Sequence, residues 1–418
     1  MSGGWLGGAG GRPALALGGR TLDYRALGRA VAAFEPPDDG GAIVVRPEAH
    51  PVETIVAVIA GLERGRPVLV GADAVPAEPL PAGTELALTT SGSSAPSGRP
   101  RIVARSSASW LASSAPLAEA TGAGPDSVVR ISGPLHVSMY LYAALHALQL
   151  GATASDEPDR GTIVHATPTR LARLLDGPAA PRTAAVAGAA LHDGLRARAA
   201  ARGVRLVEYY GAAELSFVAI DEGDGLRPFP GVEIELRPSA VGSELWARSP
   251  YLALGVVGGG MLRRDAHGFA TVGDLAEPVE SDAGRRGGSG EPRFRILGRG
   301  DAAITVAGET VLAEDVERRL GELPGIATAI VLGEPDGLLG QRLVAVVELA
   351  TPAEPELVLA AAQALPPAWR PRRWHRAEAL PTTPSGKPAR GAVASALAAG
   401  RYPRIASSVA AHEAEVGA

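Results

Sequence analysis

Residues 42–71 read AIVVRPEAHPVETIVAVIAGLERGRPVLVG and decide the fold class. AIVV (42–45) and PVLVG (67–71) are short apolar runs bounded by turn residues, the pattern of buried strands, and ETIVAVIAGLERG (53–65) between them has helical length. Strand, helix and strand within about 30 residues make the repeating unit of a parallel sheet. Upstream, TLDYRALGRAVAAF (21–34) has a capping start and apolar positions at helical spacing, so a helix is expected there before the turn-rich EPPDDGG. Downstream the rhythm recurs. TIVHA (162–166), AAVAG (184–188) and RLVEYYG (205–211) read as strands, separated by the helical TRLARLLDG (169–177) and HDGLRARAAARG (192–203). The expected class is α/β, with a doubly wound core.

Past Gly231 the texture changes to short alternating segments, VEIELR (232–237), SELWAR (243–248) and FATVGDLA (269–276), the signature of a β-rich subdomain. SDAGRRGGSGEP (281–292) is loop-like and leads directly into FRILGR (294–299). EDVERRLGEL (314–323) is then helical, TAIVLG (328–333) and LVAVVEL (343–349) are strands, and LVLAAAQAL (357–365) is helical, enough for a small α+β domain. The expected organisation is a large domain over 1–298, a small mobile domain over 299–396 and a tail over 397–418. A chain of 418 residues, long for one core, agrees with two units.

Composition narrows the function classes. The chain is 46% hydrophobic and 20% charged, a globular profile, with a formal charge of -5 and arginines spread along its length, so no nucleic-acid stripe is expected. Cysteine is absent, which removes disulfides, thiolate metal sites and a cysteine nucleophile. The eight histidines show no metal-ligand spacing. No run of 18 apolar residues marks a membrane span, and the N-terminal apolar stretch is too short for a signal peptide, so a cytoplasmic protein is expected. Of the 40 basic residues only Lys387 is a lysine. A chain that otherwise uses arginine for positive charge keeps one compact, flexible ammonium, on the loop ALPTTPSGKPAR (379–390).

Four other stretches carry chemistry. ELALTT (85–90) ends in SGSSAPSGRPR (91–101), a Gly/Ser/Pro loop able to aim N–H groups and hydroxyls at phosphate. EYYGAAE (208–214) offers an acid three residues after a glycine, suited to Mg²⁺. VGDLA (272–276) ends a strand in an acid suited to ribose hydroxyls. LGRGDAAITVAGETV (297–311) sets an arginine and an aspartate at the expected domain joint.

The order of these motifs, closing on GRGDAAITVAGETVLAEDVE (298–317) and LPTTPSGKPAR (380–390), resembles the adenylate-forming (AMP-binding) superfamily, with the texture of a short acyl-CoA synthetase. The resemblance covers about Thr21 to Arg390. It implies a phosphate loop at Thr90, Ser91, Gly92, Ser93 and Ser94, an adenine slot at Gly188, Ala189 and Ala190, and Tyr210 stacked on the base beside Gly211. It implies Glu214 on Mg²⁺, Asp274 and Arg299 on the ribose, Asp301 as the hinge, Lys387 as the adenylation lysine and His136 at the acyl pocket. ATP, Mg²⁺ and CoA, or a carrier protein's phosphopantetheine arm, are the implied cofactors and partners of a carboxylic acid. A homodimer is left open. Ligation to CoA is the leading activity; loading of a carrier protein and a non-catalytic nucleotide-binding or scaffold role are the alternatives. The sequence departs from the pattern at Ala95, Pro96 and Ser97 within the phosphate loop, at Arg101 where a lysine is usual and at Ala213 where a threonine is usual. It is also short between Gly71 and Leu86.

Overall fold

The computed structural model describes residues 4–38, 40–90, 101–221, 225–259, 262–279, 292–300, 303–306, 309–350 and 354–405. The predicted strand–helix–strand unit forms as read. Ile43–Val45 and Val68–Val70 pair in parallel, Leu86–Thr90 extends them, and Arg101–Arg105 and Gly255–Val257 close a five-stranded sheet with antiparallel pairs. Val68–Val70 and Leu86–Thr90 are parallel neighbours, yet the 71–85 connection between them contains no helix, which is where the sequence is short.

The recurrent segments build a second, nine-stranded sheet. Its centre is parallel, running Arg205–Ala212, Thr183–Val186, Ile163–Ala166, Val128–Ile131, Thr153–Ser155 and Pro13–Leu17. Antiparallel strands flank it: Arg20–Asp23 beside Pro13–Leu17, and Ser216–Asp221 beside Arg205–Ala212. The helix expected from Thr21 starts at Tyr24, because Arg20–Asp23 is drawn into a hairpin with Pro13–Leu17; Asp23 then caps the helix Tyr24–Ala33 through Ala26 N at 2.6 Å. Tertiary pairing overrides the local helical pattern there.

Two helices show why the sheets hold together. Pro51–Glu63 is buried from Val52 to Leu62 with the single exception of Glu53, and Ser138–Gln149 is buried from Tyr140 to Leu148. A helix apolar on all faces is a core helix; Pro51–Glu63 packs against strands of both the five-stranded and the nine-stranded sheet. Pro168–Asp176 is different. It buries Pro168, Leu171 and Leu175 along one stripe, and Thr167 caps it by accepting from Arg170 N at 3.4 Å. Its Arg170 reaches Ser132 O and Pro384 O.

The β-rich subdomain appears as a six-stranded sheet that includes Glu233–Ser239, Gly242–Arg248, Asp274–Val279 and Arg293–Arg299, its neighbouring strands antiparallel among the described residues. Beyond it a five-stranded sheet of Ala303–Val306, Glu309–Leu312, Ile326–Asp336, Gly340–Leu349 and Arg373–Ala377 surrounds its own core, which includes Val316, Val331, Leu343, Val347 and Trp374. The tail expected from 397 is held in part. Arg390–Ala398 is a helix, and Ile405 N donates to Trp374 O at 2.9 Å while Arg376 N donates to Pro403 O at 2.9 Å. Backbone pairing with Arg373–Ala377 carries the chain to the last described residue. No helix among the described residues is long and apolar enough to cross a membrane.

Candidate active site

The ends of these sheets and the loop before the last helix enclose one large cleft of about 1930 Å³. That exceeds the roughly 300–1,000 Å³ of a single small-molecule pocket, leaving room for two substrates.

Tyr210 ends its strand facing the β-rich sheet, where its hydroxyl donates to Asp274 Oδ2 at 2.5 Å. Asp274 begins its own strand directly opposite Arg299, whose Nε donates to Asp274 Oδ1 at 3.2 Å and whose Nη2 donates to Val272 O at 3.2 Å. Three predicted residues from three strands therefore share one carboxylate. Burial raises the Asp274 carboxyl above its ordinary value, opposed by the Tyr210 hydrogen bond and the Arg299 and Lys387 charges. Tyr210 is pushed well above the ordinary phenol range, first by burial and then by Asp274, so it stays a donor.

Gly211 follows at a register irregularity in the hairpin, where a Cβ would collide with Ser216 O. Ser216 itself has φ +61°, the one non-glycine among the described residues in the left-handed region. This tight hairpin presents Glu214, which is 6% exposed, with Oε1 3.9 Å from Arg101 Nη1. Ala213 O accepts from Arg105 Nη1 at 2.6 Å, while Arg105 Nη2 donates to Tyr251 O. Arg105 is 3% exposed, and burial lowers its guanidinium to about 10 against the pull of Glu214. Sequence reading did not single it out, since an arginine at a buried strand position carries no signal of its own.

Thr90 closes the strand Leu86–Thr90, donating through Oγ1 to Arg101 O at 3.4 Å. Ser91, Gly92, Ser93, Ser94 and Asp301 lie outside the described residues. His136 lies at the cleft before the helix Ser138–Gln149; a Cβ at Gly71, were there one, would sit 2.8 Å from the His136 Cβ. Burial lowers its imidazole pKa, which favours the neutral ring.

Gly188, Ala189 and Ala190 line the cleft after the strand Thr183–Val186. Gly188 has φ +96°, and a Cβ there would lie 2.6 Å from Lys387 Cε and 3.4 Å from its Nζ. Lys387 reaches this position on a self-closed hairpin: Lys387 O accepts from Thr383 N at 2.7 Å and Thr383 Oγ1 at 3.2 Å, and Ala389 N donates to Pro381 O at 2.8 Å. The ammonium opens into the cleft yet has protein around it. Its pKa is lowered by desolvation, with Asp274 and Glu214 acting against that and Arg299 adding to it. Lys387, Gly188, Asp274, Arg299 and Glu214, about 200 residues apart in sequence at the extremes, therefore share one electrostatic neighbourhood.

Mg²⁺ fits the donors in one way only. Among the described residues no group of three or more His, Cys, Asp or Glu stands together, and Glu214 is a single buried carboxylate. That suits a cation carried largely by substrate phosphates and water rather than a dedicated protein cage.

The chain is similar to known proteins in both sequence and fold. Residues 315–387 match the family of the AMP-binding enzyme C-terminal domain. The chain is 29% identical to the uncharacterized acyl–CoA ligase YhfT of Bacillus subtilis over 73% of this chain and 67% of that protein. It is 34% identical to the 2-succinylbenzoate–CoA ligase of Salmonella typhimurium over 44% of this chain and 40% of that protein, so it spans less than half of that relative. In structure it is similar to the o-succinylbenzoate CoA synthetase (MenE) from Bacillus subtilis in complex with the acyl-adenylate intermediate OSB-AMP, with a TM-score of 0.71, 18% identity and coverage of 91% and 95% of the two chains. The fold is that of the adenylate-forming enzymes, a large unit of wound sheets with a β-rich subdomain and a small C-terminal unit. Residues 315–387 are thus similar to the C-terminal domain of AMP-binding enzymes, and the chain as a whole is similar to acyl–CoA ligases.

Proposed function

We propose that the protein activates a carboxylic acid with ATP, forms an acyl-adenylate and passes the acyl group to a thiol, CoA being the first candidate. The observation that carries this reading is the position of Lys387: the only lysine of the chain lies over Gly188, in the field of Asp274 and Glu214.

The chemistry follows from charge. The acid's carboxylate oxygen attacks the α-phosphorus of ATP, the bond from that phosphorus to the bridging oxygen breaks, and pyrophosphate leaves. Two anions must approach, and the pentavalent transition state gathers negative charge on its equatorial oxygens. Lys387 is the cation proposed to meet that charge, and a positioned cation acts strongly there. Asp274, fixed by Tyr210 and Arg299, offers carboxylate oxygens to the ribose hydroxyls, and Gly188, Ala189 and Ala190, which line the cleft, are the proposed adenine slot. Thr90 and Arg101 stand at the mouth of the phosphate loop. Mg²⁺, held by Glu214 together with phosphate oxygens, supplies further neutralisation when bound. In the second step a thiolate attacks the acyl carbonyl and AMP departs with the bonding electron pair.

His136, which lines the cleft beside Gly71, is the proposed contact of the acid. Its neutral ring is suited to packing or hydrogen bonding rather than to charge pairing. A domain boundary between Arg299 and Ala303 is supported by their strands pairing in different sheets, the β-rich sheet and the last five-stranded sheet. Asp301 between them is the proposed hinge.

The test is acid-dependent exchange of labelled pyrophosphate into ATP, across fatty, aryl, dicarboxylic and amino acids. One acid class is expected to support exchange, and Lys387→Ala is expected to reduce it about 10²- to 10³-fold, the usual loss for a preorganised transition-state partner. Thioester formation from supplied acyl-AMP should survive in that variant. Nucleotide binding without exchange for any acid would sink the enzymatic reading in favour of a non-catalytic one; strong preference for a carrier protein over free CoA would move the acceptor to the phosphopantetheine arm.

A further inference from the structure

The loop that delivers Lys387 is held against the large unit by two groups that no motif assigns a role. Tyr140, fully buried at the start of the helix Ser138–Gln149, donates its hydroxyl to Ser385 O at 3.0 Å. Arg170, on the helix Pro168–Asp176, donates through Nη2 to Pro384 O at 3.2 Å and through Nη1 to Ser132 O, so its guanidinium spans from the large unit to the loop. Its Cζ stands 5.3 Å from the centre of the Tyr140 ring, close enough for a cation–π contact. Gly386 has φ +86°, and a Cβ on it would come within 2.9 Å of Arg170 Nε and 3.0 Å of Thr167 Oγ1. Residues 384, 385 and 386, the three that precede the lysine, each touch this patch.

The chemistry of these contacts is that of a releasable fastening. Both acceptors are backbone carbonyls that water can satisfy once the loop departs, and the loop keeps its shape through its own Thr383 to Lys387 bonds. Tyr140 is itself fixed, because its ring fills the space a Cβ on Gly133 would need. The large unit therefore presents two rigid donors to a preformed hairpin.

We propose that Tyr140 and Arg170 form a latch that positions Lys387 for acyl-adenylate formation and must open before the thiol step. The proposal rests on the adenylating function argued above. Neither residue touches the reacting atoms; both are positioning residues that weight the arrangement in which Lys387 faces Gly188. Removing them loosens the first half-reaction and leaves the second unharmed or faster, an asymmetry that a merely structural defect does not produce.

Because Lys387 is the only lysine, acylation of the full-length protein by acetic anhydride, followed by mass spectrometry of the peptide that contains it, reports the latch without any turnover. Arg170→Met is expected to raise the Lys387 modification rate about tenfold, the scale of one lost charge-assisted hydrogen bond. Tyr140→Phe, which keeps the ring packing and removes only the hydroxyl, is expected to raise it less. In the same variants pyrophosphate exchange should fall while thioester formation from supplied acyl-AMP does not. Unchanged modification in the well-folded Tyr140→Phe and in Arg170→Met, or an equal fall of both half-reactions, overturns the latch. A wild type that exchanges pyrophosphate with no acid, yet shows the expected protection of Lys387, overturns the function and leaves the latch standing.

Discussion

Two walls of the cleft hold their polar groups by opposite means. On one, Asp274 and Arg299 face each other across paired strands and Tyr210 reaches them from the nine-stranded sheet, so each side chain is fixed by another side chain on regular structure. On the other, Lys387 rides a hairpin fastened to the rest of the protein through the carbonyls of Pro384 and Ser385. Strand-borne groups interlocked by buried hydrogen bonds keep one geometry, whereas a hairpin held by backbone acceptors leaves and returns at little cost because water replaces its partners. On the proposed function, the first wall would bind the same nucleotide through both reactions and the second would serve one of them.

Breaking the fixed wall should cost most. Asp274→Ala removes the carboxylate that Tyr210 and Arg299 share, and losing one member of such a pair is expensive. The KM for ATP is expected to rise about 30- to 5,000-fold, the equivalent of the 2–5 kcal/mol seen when a buried hydrogen-bonded charge partner is truncated. Both half-reactions should suffer, since both use bound adenylate. A change confined to the first half-reaction would show that Asp274 serves Lys387 rather than the nucleotide. A smaller effect is expected at the movable wall. Gly386→Ala puts a side chain in the left-handed region and against Arg170 Nε, and the left-handed penalty alone is about 1–2 kcal/mol. Adenylation measured by pyrophosphate exchange should drop about tenfold, with thioester formation spared; equal losses would place Gly386 in the fold rather than the latch.

The same contrast explains what the sequence disclosed. Strands and core helices were readable because burial on one or all faces leaves a pattern, as in AIVV and ETIVAVIAGLERG. Tyr210, Asp274, Arg299, Glu214 and Lys387 were readable because their motifs keep a fixed order, and the structure brings these five to one cleft. Arg170, Tyr140 and Arg105 were not. Arg170 occupies a polar position on an amphipathic helix, Tyr140 sits in an apolar run that reads as core, and Arg105 interrupts a buried strand; each takes its meaning from a carbonyl far away in sequence. The hairpin at Arg20–Asp23 and the pairing of Ile405 with Trp374 escaped for the same reason, since backbone partners leave no residue-type signature.

The smallest effect, and the sharpest on the comparison, is electrostatic. Desolvation lowers the Lys387 pKa below its ordinary 10.5, and Asp274 on the opposite wall acts in the other direction. The ammonium is the form that meets the transition-state charge, so adenylation should fall on the alkaline side as Lys387 loses its proton, at a pH below that of an ordinary lysine. Asp274→Asn removes the carboxylate that favours the charged form, so the sign is fixed: the alkaline limb of kcat for pyrophosphate exchange moves to lower pH in that variant. Thioester formation from acyl-AMP, which does not use Lys387, should show no matching shift. Should the limb stay where it is, the two walls act independently, and Asp274 contributes only by holding the nucleotide; should it move, the fixed wall also sets the charge of the group that the movable wall brings in.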